Sequence, residues 1–136
     1  MSGTTHGYSG TPLFRKLGLK PGMRYLLIRP PDGYESLVAD AEGIRIMRRA
    51  ASADVVHLFC RRRRDLDRNI ERALDRVSEG GMLWISWPKK SSPMFIDLTE
   101  DQLREVVLPT GWVDVKVCAV DADWSGLKFM RRKAGC

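Results

Sequence analysis

The chain has 136 residues, 43% hydrophobic and 29% charged, which gives enough apolar side chain for a packed core and argues against a disordered segment. Its 23 Lys and Arg against 17 Asp and Glu leave a formal charge of +6, a bias towards anionic partners that does not by itself specify nucleic acid. No apolar run approaches the roughly 18 residues of a membrane span, and Met1 to Gly7 holds no signal-peptide core. The expected setting is therefore the cytoplasm, with no membrane partner, short tails at 1–7 and 134–136, and one domain at 8–133.

Three widely spaced cysteines, Cys60, Cys118 and Cys136, support neither a disulfide framework nor a zinc pattern. With only His6 and His57 as histidines, no metal is expected, and His57, set in an apolar run, reads as a core residue. In chain order, Thr11 and Pro12 open a short helix as N-cap and N1, which Gly18 stops after Leu17. Residues 23–29 form a buried strand running into Pro30-Pro31-Asp32-Gly33, followed by a short helix from Tyr34 to about Ala41. Second and third strands are expected at 43–47 and 54–60, the latter apolar enough to be covered on both faces.

Residues 65–79 carry Leu66, Ile70, Ala73, Leu74 and Val77 on one helical face. On its solvent side, Asp65 with Arg68, Arg72 with Asp75 and Arg76 with Glu79 are spaced for ion pairs. Gly80-Gly81 ends this helix, and 82–87 reads as a buried strand halted by Pro88. Thr99 with Gln102 fits a capping box, and Leu98 with Leu103 a hydrophobic staple, for a helix at 100–108. An alternating strand at 112–120, a turn at Asp121-Ala122-Asp123 and a return from Ser125 to about Arg132 predict a closing antiparallel hairpin. Strands alternating with helices need right-handed crossovers, hence an α/β fold with a mostly parallel sheet between helical layers.

Five segments also resemble a bacterial family, the domain-of-unknown-function family 3052. They are Tyr8 to Leu13, Lys16 to Met23, Asp54 to Phe59, Gly81 to Lys90 and Val113 to Lys128. More distantly, Leu-Lys-Pro-Gly-Met before a strand, a Gly-Gly turn into a tryptophan-rich strand and the terminal hairpin resemble the framework of Rossmann-type methyltransferases. That likeness implies a small three-layer Rossmann-like domain. In such enzymes a glycine-rich loop after the first strand lets the backbone approach S-adenosylmethionine. Here that loop is Arg29-Pro30-Pro31-Asp32-Gly33-Tyr34, and Met47-Arg48-Arg49 stands where an acidic residue would hold the ribose. On that basis the cofactor is unknown and S-adenosylmethionine is not expected.

Ligands of open parallel sheets bind beyond the carboxyl ends of the strands. Those ends supply Asp32 and Tyr34, Arg61, Arg62, Arg63 and Arg64, then Trp87, Lys89 and Lys90, and finally Asp121 and Trp124 as candidate ligand-binding residues. Arginines facing a helix N-terminus oppose its dipole, where an anion would be favoured. No nucleophile-base motif assigns a catalytic residue. The leading expectation is a non-catalytic domain binding an anionic, phosphate-bearing ligand or partner through this basic edge. The alternatives are a diverged S-adenosylmethionine-dependent small-molecule transferase and a nucleic-acid-binding protein. The edge of the hairpin is a further surface, for a homo-oligomer.

Overall fold

A computed structural model describes residues 11–132; the expected tails at 1–7 and 134–136 lie outside the described residues. Helix α1, Leu13–Leu17, leads to strand β1, Arg24–Ile28, and a 3-10 helix, Tyr34–Val38. Strands β2, Arg45–Met47, and β3, Ala53–Phe59, precede helix α2, Arg63–Arg76, and strand β4, Val77–Pro88. Helix α3, Glu100–Val107, runs through a 3-10 turn, Leu108–Thr110, into β5, Trp112–Ala119, and β6, Trp124–Arg131. Among the described residues six strands form one sheet in the order β2-β1-β3-β4-β6-β5. The pairs β1–β2, β1–β3 and β3–β4 are parallel, and the two involving β6 are antiparallel. The expected α/β class, mostly parallel with a C-terminal hairpin, is the observed one.

The sheet separates two cores. On one face α2 and α3 cover Leu26, Val56, Leu58, Leu83, Ile85, Leu127 and Phe129, with Leu66, Ile70 and Leu103 reaching down from the helices. On the other, α1 and the 3-10 helix cover Tyr25, Leu27, Val55, Phe59 and Trp84. Residues of β1, β3 and β4 thus alternate between two dry layers, which is why these strands read as continuous apolar runs. Trp84 ties the second layer to the sheet, its indole Nε1–H donating to the Leu17 carbonyl at 3.0 Å.

Several local features depart from the sequence reading for physical reasons. Pro12 is extended, so α1 starts at Leu13, while Gly18 at φ 80° closes it as expected. Helix α2 starts two residues earlier than its apolar period indicates, because the Asp65 carboxylate accepts the N–H groups of Arg61 and Arg62 at 2.9 and 3.3 Å. Asp97 accepts from Arg63 N–H at 2.9 Å. The three expected ion pairs along α2 do not form among the described residues: Asp65 faces Arg29, Arg72 donates to Asn69, and Arg76 donates to the Ala50 carbonyl. At the mouth of β4 the chain bulges through Gly80-Gly81, and a Cβ on Gly81 would lie 2.5 Å from the Asp54 carbonyl oxygen. In β5 the pairing slips between Asp114 and Lys116, and that extra residue breaks the alternation. Trp112 is therefore buried under one face and Cys118 under the other, with Val115 and Val117 exposed.

Candidate functional site

The carboxyl ends of β1 and β3, together with the β5–β6 turn, enclose a pocket of about 380 Å³. Its walls are Pro31, Asp32, Gly33, Tyr34, Leu37, Arg61, Met94, Asp121, Asp123 and Trp124. Five of the sequence-derived candidates, Asp32, Tyr34, Arg61, Asp121 and Trp124, meet here. Lys89, Lys90 and Trp87 do not: they line a separate cleft of about 400 Å³ with Thr99, Glu100, Asp101 and Ser125. The Lys89 N–H is held by the Asp123 carbonyl at 2.8 Å, and that bond fixes how the chain leaves β4. The arginine run is divided as well. Arg62 occupies the N-cap of α2, Arg63 pairs with Asp67 at 3.0 Å, and Arg64 is exposed. Asp65 accepts from the Arg61 and Arg62 N–H groups just ahead of α2, and Asp97 from Arg63 N–H, the first of the helix, so carboxylates of the chain itself already stand where an anion was expected.

Local chemistry shapes each wall. The loop after β1 turns on two left-handed residues, Arg29 at φ 61° and Gly33 at φ 79°. A Cβ on Gly33 would meet nothing within 4 Å, so the backbone there is open to close approach. Asp121 accepts from Asp123 N–H and Trp124 N–H at 2.8 and 2.9 Å, an Asx turn that sets the hairpin tip over the pocket. Asp123 accepts the Ser92 hydroxyl at 2.9 Å and so anchors the 89–98 segment that brings in Met94. The Arg61 guanidinium lies 5.8 Å from the Trp124 ring centroid.

Beneath the pocket runs a fully buried polar chain. The Tyr34 and Tyr25 hydroxyls are 2.6 Å apart, Tyr25 lies 2.5 Å from His57 Nδ1, and His57 Nε2 is 2.6 Å from Ser86 Oγ. Burial depresses the imidazole to a pKa of about 3, so at ordinary pH the ring is neutral with one N–H. Of Tyr25 and Ser86, one therefore donates its O–H to the ring and the other accepts from it. Burial also pushes both tyrosine phenols above their usual range, so they remain protonated. The Ser86–His57 pair has the spacing of nucleophile and base, but both side chains are wholly buried and out of reach of a substrate. Its role is to satisfy polar groups under the pocket floor, in keeping with His57 as a core residue. Leu37 and Met94 were not among the sequence-derived candidates, while Asp123 belongs to the same strand-end turn as Asp121.

The fold is the one seen in Rossmann-type methyltransferases of known structure. The ribosomal protein L11 methylase of Lactobacillus delbrueckii subsp. bulgaricus superposes with a TM-score of 0.56 at 11% identity, covering 89% of this chain and 76% of that one. A TehB-like SAM-dependent methyltransferase from Corynebacterium glutamicum gives 0.55 at 9% identity, over 93% of this chain and 90% of its own. Magnesium protoporphyrin IX methyltransferase from Synechocystis, a structure with bound SAM, gives 0.55 at 9% identity, over 89% and 74%. No family model matches the chain, and no curated protein matches its sequence.

These likenesses correct two expectations. The leading expectation of a non-catalytic binding domain is overturned: several solved neighbours of this fold are methyltransferases, which favours the transferase alternative. Dismissing S-adenosylmethionine was also wrong, since a chain of this fold is solved with it bound. The β1 loop has one glycine, Gly33, and a Cβ there would meet nothing within 4 Å, so its backbone is open on that side.

Proposed function

We propose that the protein is a diverged S-adenosylmethionine-dependent transferase acting on a small molecule, with its cofactor in the pocket at the carboxyl edge of β1 and β3. The supporting observation is the composition of that pocket. Asp32, Asp121 and Asp123 present carboxylates and Arg61 a guanidinium, beside Leu37, Met94, Trp124 and the open backbone of Gly33. A zwitterionic amino acid joined to an adenosine needs this mixture, and about 380 Å³ lies within the range of small-molecule sites.

When bound, S-adenosylmethionine supplies an electrophilic methyl on a sulfonium. Asp32 would hold cationic or hydroxyl groups at the loop, and Arg61 a carboxylate. Leu37, Met94 and the Trp124 ring would exclude water from the apolar part. Tyr34 contributes its ring as a wall, because its hydroxyl is engaged with Tyr25 in the buried chain. A proton released from a substrate nucleophile would pass to Asp121 or Asp123, the carboxylates at the hairpin tip. Kinship with the domain-of-unknown-function family 3052 and a cytoplasmic setting belong to the same proposal, the first carried by the motifs at 81–90 and 113–128.

Isothermal titration with S-adenosylhomocysteine tests the reading. Saturable one-to-one binding is expected, weakened about tenfold or more by Asp32→Lys and by Arg61→Glu, both exposed and outside the core. No heat of binding at millimolar ligand, or binding untouched by both substitutions, would overturn the site.

A further inference from the structure

On the α2 face of the sheet, α2 packs chiefly on β3 and β4 and α3 beside β5, so the outer side of β1 and β2 is the least covered part of that face among the described residues. The space left there is a groove of about 1090 Å³ that opens at the carboxyl ends of β1 and β2 and is larger than the two clefts described above. Arg29, Arg48 and Arg49 line one side of it and Arg72 and Arg76 the other, with Ala50 and the β1 backbone between, and none of the lining residues is acidic. Arg29 and Arg48 have carboxylate partners outside the groove, Asp65 at 3.4 Å and Glu35 at 2.8 Å. Arg49 and Arg72 have none among the described residues, and Arg72 bonds only the Asn69 amide.

The helix extends this charge in a direction packing does not require. Arg64, Arg68, Arg72 and Arg76 recur every fourth residue, which sets one guanidinium about every 6 Å along a slanting row. Like charges at that spacing disfavour the helix, and Leu66, Ile70 and Ala73 already supply its core contacts. Such a step is comparable to the distance between neighbouring phosphates along an extended nucleic-acid strand. Arginine also grips phosphate oxygens in pairs. The groove is half polar and its strand floor is nearly buried, Leu26 at 2% and Ile28 at 7% exposed, so an apolar helix face would find little to cover.

We propose that this arginine groove binds the phosphate backbone of a single-stranded nucleic acid, without reading its sequence. The site is separate from the pocket assigned to the cofactor and does not rest on the transferase reading. Fluorescence anisotropy of the full chain with a short labelled oligouridylate tests it, beside a poly-glutamate chain of equal length. Binding is expected to weaken steeply as salt rises, because phosphate contacts release counterions. Arg49→Glu with Arg72→Glu should reduce affinity about tenfold or more and lower the salt slope by about one per site. Arg49→Gln, which keeps a polar side chain and loses only the charge, should reduce it severalfold. A charge-matched control away from the groove, Lys20→Glu with Arg132→Glu, should change affinity far less. Equal loss in the control pair means attraction to net charge alone and overturns the groove. Poly-glutamate binding as tightly as the RNA assigns the surface to an acidic polypeptide instead, and absence of RNA binding at low salt rejects it outright.

Discussion

His57 stands in the middle of the buried chain that links Tyr34 and Tyr25 to Ser86. Its ring is fully buried, stacked on Phe59 with centroids 4.1 Å apart, and bonded at both nitrogens to hydroxyls. The unfolded chain takes up a proton at this side chain near pH 6.5, whereas the folded chain resists until about pH 3. Across that window the unfolded state binds more protons, so the stability present above pH 6.5 is progressively lost as pH falls. The loss is of order several kcal/mol. Urea unfolding between pH 7 and pH 4 should show the midpoint falling, and His57→Gln, which hydrogen-bonds but does not titrate, should flatten that profile while lowering stability at pH 7. An unchanged slope in the variant would place the acid sensitivity elsewhere.

At the scale of elements, the start of α2 shows how one carboxylate fixes a boundary. Asp65 takes two backbone N–H groups and the Arg29 guanidinium, with its side chain 13% exposed. Asp65→Ala should cost about 1–2 kcal/mol in urea unfolding, and Asp65→Asn less, since the amide oxygen still accepts. The sequence revealed the body of this helix because its core face follows a 3.6-residue period, and it revealed β3 because a strand buried on both faces is apolar throughout. It did not reveal the early start, because Arg61 and Arg62 do not look like capping residues. The bulge in β5 was also hidden, since it depends on pairing with β6, which strict alternation in the sequence conceals. The capping box of α3 is one-sided for a similar reason. Thr99 accepts from Gln102 N–H, but the Gln102 side-chain oxygen is buried with no partner rather than turned back to the cap. For the site, strand-end logic gathered Asp32, Tyr34, Arg61, Asp121 and Trp124. It also grouped Lys89 and Lys90 with them, which the route of the chain after Pro88 does not allow.

Across the whole molecule the two faces of the sheet are covered unequally, and the site lies on the thinner side. Among the described residues the α2 face has helices of 14 and 8 residues, the opposite face one α-helix of 5 and a 3-10 helix of 5. The 3-10 helix is held by single-turn bonds such as Tyr34 N–H to Pro31 and Ser36 N–H to Gly33, both at 3.1 Å, while β3 is bonded to strands on both sides. Low local stability of this kind is typical of segments that close on ligands. Hydrogen exchange should therefore show amides at 33–39 exchanging orders of magnitude faster than those at 55–59. With S-adenosylhomocysteine present, slowing should appear at 31–37 and 121–124, where the β1 loop and hairpin tip meet, and not along 66–76 of α2. Protection along α2 instead would put the cofactor in the arginine groove and remove that surface from any nucleic acid. Protection at the pocket alone would leave the two surfaces independent, with the groove still open to a strand while the pocket is occupied.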